Sequence, residues 1–91
     1  MAMTANQPTT TAQVTITQTV LPASDASHGT PDPVLKRVFT FRLPQGEAEV
    51  HQTDYGHPRR MNPCYPQRIP GSLQPRTNQI LAAAEALAAL L

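Results

Sequence analysis

The chain has 91 residues, 40% of them apolar but only 4% aromatic, with ten prolines, no tryptophan and a formal net charge of +1. One small domain is the most it can form, and burial in a domain of that size is modest. The near-neutral balance supplies neither a basic coat for nucleic acid nor an acidic mimic. One cysteine, Cys64, excludes an internal disulfide framework. No run of about twenty apolar residues is present to span a bilayer, and the N-terminus has neither the basic and apolar regions of a secretory signal nor the arginines of a transit peptide. A reducing, cytoplasmic or virion setting is expected.

Residues 1–21 carry no charged side chain. Residues 1–11, closing in a threonine run after Pro8, are low-complexity and polar and predict an extended arm. From Ala12 the pattern changes. Val14, Ile16, Gln18 and Val20 alternate with Thr15, Thr17 and Thr19, the period of two expected of a β-branched strand. A strand edge without charge is one that solitary proteins usually avoid, and it suits addition to the sheet of another chain. Residues 22–33 are small, polar and turn-forming, a linker.

The strongest folded signal lies between Val34 and Gln52. Phe39, Phe41 and Leu43 alternate with Val38, Thr40 and Arg42; Pro44-Gln45-Gly46 offers turn chemistry; Ala48 and Val50 return on one face with Glu49 and His51 on the other. This predicts a hairpin. With the first strand it makes a three-stranded antiparallel sheet over residues 12–54, about the minimum that is stable in water.

Five prolines between Tyr55 and Pro75 predict an extended, polyproline-like segment over residues 55–74. Arg59, Arg60, Arg68 and Arg76 fall in or next to it with Tyr55 and Tyr65, and no acidic residue follows Asp54 until Glu85. Arginine captures carboxylate or phosphate through two parallel hydrogen bonds. The segment therefore suits an acidic groove on a protein, and secondarily a nucleic acid, for which four cations over thirty residues are sparse.

Residues 75–91 read as a helix capped by Thr77. Ile80, Ala84, Leu87 and Leu91 form a stripe flanked by Leu81 and Ala88, and Glu85 is the one charge opposite. A helix this apolar is expected to bury more than one side, against the sheet and against a partner. At 1.5 Å per residue it spans about 20 Å, short of a bilayer core.

Catalytic and metal signatures are weak. His28, His51, His57 and Cys64 do not stand at zinc-ligand spacing. Cys64 has His57 as a notional base and arginines that could lower its pKa, but it lies between prolines in irregular chain with no oxyanion loop implied. No glycine-rich phosphate loop occurs. The expected fold is α+β: an extended N-terminal arm, a small antiparallel sheet, a proline-rich irregular segment and a C-terminal helix. The expected function is that of a non-enzymatic accessory subunit without cofactor or membrane contact, not fully ordered alone, that cements a larger protein assembly; a minor capsid or decoration protein of a virion is the favoured example. Its expected contacts are Arg59, Arg60, Tyr65, Arg68, Arg76, Ile80, Ala84, Leu87 and Leu91. The alternatives are a nucleic-acid-binding accessory protein using the arginine segment and a small inhibitor or regulator of one enzyme.

Overall fold

A computed structural model describes residues 9–20, 35–54 and 62–91. They form a four-stranded antiparallel sheet in the order β1-β2-β3-β4, with β1 Gln13–Val20, β2 Leu35–Leu43, β3 Gly46–Asp54 and β4 Tyr65–Arg68. A 3₁₀ helix, Gly71–Arg76, leads directly into α1, Thr77–Ala88. The fold is small and α+β. Residues 1–8, 21–34 and 55–61 lie outside the description. So most of the expected arm and linker and the first part of the expected proline-rich segment, with Tyr55, His57, Arg59 and Arg60, are not described.

The hairpin forms where the alternation placed it. Leu43 faces Gly46 across the two-residue turn Pro44-Gln45, and the register runs without a break to Leu35 opposite Asp54. Odd positions of β2 and even positions of β3 share one face. Phe39 stands between Ile16 and Val50, and Phe41 between Val14 and Ala48. Leu73 of the 3₁₀ helix and Ile80 and Ala84 of α1 close over this face. Together with Phe39, Phe41, Ala48 and Val50 they are the buried core. Fully burying each large apolar side chain contributes roughly 1.5–3 kcal/mol.

Three expectations are corrected. The sheet has a fourth strand, β4, which contains Pro66 and pairs with β3 through Val50–Pro66 and His51–Tyr65. Proline lacks the N–H that an inner strand needs but is tolerated on an edge, and β4 is an edge. Second, the chain does not stay extended to Gln74: Gly71–Arg76 coils into the 3₁₀ helix with Pro75 inside it. Third, Thr77 is the first helical residue and does not cap; its hydroxyl donates to the Gln74 carbonyl at 2.8 Å.

The hairpin turn is fastened to the 3₁₀ helix. Ser72 Oγ donates to the Gln45 carbonyl at 2.6 Å, and Leu73 N–H donates to the Pro70 carbonyl at 2.9 Å. Gly46 has φ +150, and a Cβ there would stand 3.2 Å from Ser72 Oγ and 3.3 Å from Pro70 Cγ. The glycine thus meets a backbone and a spatial requirement at one position. Among the described residues no helix is long and apolar enough to cross a membrane.

Candidate protein interface

β1 brings two different faces to the margin of the sheet. Thr15, Thr17 and Thr19 lie opposite Thr40, Val38 and Lys36 on the face away from the helix. Val14, Ile16, Gln18 and Val20 lie opposite Phe41, Phe39, Arg37 and Leu35 on the helix side. Only Ile16 reaches the core margin. Val14 is 37% exposed and Val20 80% exposed, because α1 and the 3₁₀ helix cover β2 and β3 and leave the outer strand uncovered.

A polar row fixes this strand in place. Gln18, Arg37 and Gln52 are directly opposite one another on β1, β2 and β3. Arg37 Nε donates to Gln18 Oε1 at 2.7 Å and Arg37 Nη1 donates to Gln52 Oε1 at 3.0 Å. Gln52 Nε2 in turn donates to the Asn62 carbonyl at 3.0 Å. Arg37 and Gln52 are buried, so slipping β1 by two residues would strand a buried guanidinium donor, at a cost of about 1–3 kcal/mol. The row therefore sets the register of β1 against β2.

The two edges of the sheet differ in how they meet other chains. β4 has four residues, includes Pro66, and shifts register between Glu49 and Val50, which leaves Gln67 as the extra residue of a bulge. Its Arg68 is tied to Glu47 at 3.2 Å, and Arg42 reaches the same carboxylate at 3.3 Å. A short length, a proline, a bulge and a charge are the devices that stop an edge from pairing further. β1 has none of them. It is eight residues long, without charge, proline or glycine, and its register with β2 is unbroken. Among the described residues nothing pairs with its outer side, so roughly half of its eight backbone N–H and C=O groups face outward as a pairing template.

The nine residues expected to meet a partner are dispersed by the structure. Ile80 and Ala84 are buried in the chain's own core, and Leu87 packs partly buried at its margin. They hold the helix on the sheet and so do not present a partner surface. One apolar flank suffices to cover a two-strand face. The other flank, including Ala82, Ala83, Ala86 and Ala89, is exposed, as alanine on a solvated helix face can be. Leu91 is 56% exposed at the chain end and Leu90 82%. Tyr65 is 41% exposed and turns its ring edge onto His51, with centroids 5.8 Å apart. Arg68 is paired with Glu47, Arg76 is exposed at the end of the 3₁₀ helix, and Arg59 and Arg60 lie outside the described residues. The arginines are not gathered into one tract by the part of the chain that is described.

Cys64 sits partly buried beside the core. Its N–H donates to Glu85 Oε1. Burial, then the Glu85 charge and a hydrogen bond to the same carboxylate, push the thiol up from 9.0 to about 11, against a smaller opposing pull from Arg37. Burial first, and then the one acid of the helix, keep the thiol protonated, the reverse of what a nucleophile needs. The sequence places Glu85 as the one charge opposite the apolar stripe; its reach to residue 64 depends on the chain path after β3, which periodicity does not encode. Among the described residues no group of three or more His, Cys, Asp or Glu side chains could hold a metal ion. Among the described residues, the open β1 edge is the feature suited to pairing with another chain. No protein-family model, curated protein or solved structure matches this chain.

Proposed function

We propose that the protein is a non-enzymatic structural subunit that joins a larger protein assembly by adding its β1 edge to another chain's sheet. The observation that carries this is the contrast between the two edges: β4 is short, bulged, proline-bearing and charged, whereas β1 is long, regular and uncharged. Main-chain hydrogen bonds along such an edge supply affinity, and side chains at alternate positions supply selectivity. The protonated Cys64 supports a binding role over nucleophilic chemistry. A minor capsid or decoration protein is the setting this reading favours, because cementing subunits work through extended contact surfaces and need no reaction centre; the alternative setting is a peripheral place in a cytoplasmic complex.

The test is velocity sedimentation of the chain in lysate of the organism or virion that produces it, followed by immunodetection. The expected result is migration with particles far heavier than the 9.9 kDa chain, lost when β1 carries Val14→Lys and Val20→Lys. Migration of the unaltered chain at its own mass or as a small oligomer would overturn the reading.

A further inference from the structure

We infer that the β1 edge is taken by a second copy of this chain, giving a two-fold dimer in which two four-stranded sheets join into one of eight strands. The inference rests on the proposed use of the β1 edge for pairing with another chain, and it names the occupant and the register.

The first observation is in the strand itself. From Val14 to Val20 the order is Val-Thr-Ile-Thr-Gln-Thr-Val, which reads the same in both directions about Thr17 except where Ile16 exchanges with Gln18. An antiparallel pair of identical strands related by a two-fold axis must place residue i against j and j against i. With the axis at Thr17 and perpendicular to the sheet, Val14 meets Val20 of the second copy, Thr15 meets Thr19, Ile16 meets Gln18, and Thr17 meets itself. Each matching pair brings together side chains of the same kind, and cross-strand Thr–Thr and β-branched pairs are favourable.

The second observation concerns faces. All these pairs join even positions to even and odd to odd, so the helix-side face of one copy continues into the helix-side face of the other. A register one residue away would set Val14 and Ile16 against threonines of the opposite face. Val14 and Val20, the strand's two exposed large apolar residues at 37% and 80%, are the pair that this register brings together, twice in the dimer. Charge is the third. The strand has none, so a copy meets no repulsion, whereas a partner of opposite charge would find nothing on β1 to recognise. Pairing over seven residues adds roughly six to eight main-chain hydrogen bonds. The Gln18–Arg37–Gln52 row holds the template in one register before the copies meet.

The test is light scattering coupled to size exclusion on the purified full-length chain over roughly 1–100 μM, with two double variants. The expected mass is twice 9.9 kDa. V14K/V20K sets like charges against each other at both symmetric sites and should elute at the monomer mass with unchanged circular dichroism. V14E/V20K sets opposite charges there and should restore the dimer at least tenfold more tightly than V14K/V20K. A monomeric wild-type chain overturns the inference, as does a dimer indifferent to V14K/V20K, which would use another surface. Equal weakening by both variants overturns the register. A purified monomer that nevertheless sediments with heavy particles in lysate removes the second copy and keeps the assembly reading. A purified dimer that sediments only as a dimer does the opposite.

Discussion

At the scale of single residues, the charged and polar side chains in the interior are placed for order. Arg37 is buried at the end of the apolar face, yet two glutamines on neighbouring strands accept its N–H groups. Charge-assisted bonds of this kind are stronger than neutral ones. Cys64 and Glu85 form a second contact, linking the segment before β4 to the helix. Because the thiol is raised in the folded state from 9.0 to about 11, stability is unaffected below pH 9 and falls between 9 and 11, where the unfolded chain ionises its thiol first. Glu85→Gln removes the charge but keeps an oxygen to accept the Cys64 N–H. Its thiol should ionise at lower pH than in the wild type, with burial still raising it, and alkylation by iodoacetamide at pH 9, followed by mass spectrometry, should be faster than in the wild type. Equal rates would show that the carboxylate does not hold the proton in place.

At the scale of elements, what could be read in the sequence was what repeats. The alternation in β1 and the hairpin located three strands and assigned their faces, including the even positions that Gln18 shares with Val14 and Ile16. The helix was equally plain in its alanine and leucine content. β4 was not legible, since four residues with a central proline carry no period and the strand exists only because β3 offers an edge. The 3₁₀ helix was hidden for a related reason: Gly71 and Pro75 read as breakers, though both suit a short tight helix. The burial of Arg37 and Gln52 was missed, although both stand two residues from a core position on the correct face; parity carried that signal and residue type masked it. The uncharged β1 strand could be read as a solvated face or as an edge open to another chain, and the apolar helix does not reveal in sequence which neighbour it covers. The joint between the turn and the 3₁₀ helix can be tested directly. Gly46→Ala forces an L-residue to φ +150 and drives its Cβ to within 3.2 Å of Ser72 Oγ. The expected loss is about 1–3 kcal/mol in urea unfolding, with the slope unchanged. Measured against Ser72→Ala alone, which already lacks the hydroxyl bond to the Gln45 carbonyl, Gly46→Ala should still lower stability through backbone strain and the Pro70 contact at 3.3 Å. No loss in that background would mean that neither contributes.

At the scale of the whole molecule, the seven buried apolar side chains among the described residues make a small core over two strands. Domains of this length hold roughly 5–14 kcal/mol against unfolding. β1 adds little apolar burial to that core, with Ile16 alone at its margin, so the strand is held chiefly by main-chain pairing to β2 and by the Gln18–Arg37 bond. A second copy across β1 would bury Val14 and Val20 and satisfy the outward groups, so its largest stabilising effect should fall on β1. Unfolding then consumes dimer, and mass action ties stability to concentration. A tenfold rise in concentration contributes about 1.4 kcal/mol per dimer, half of that per chain, which for a domain of this size shifts Tm by roughly 3–5 °C. Scanning calorimetry of the wild type over a hundredfold range, about 1–100 μM, should show that rise. The V14K/V20K variant should melt at one temperature throughout, lower than the wild type at its highest concentration. A wild-type Tm independent of concentration would show that β1 is secured within a single chain, and that its uncharged edge stays unpaired in solution.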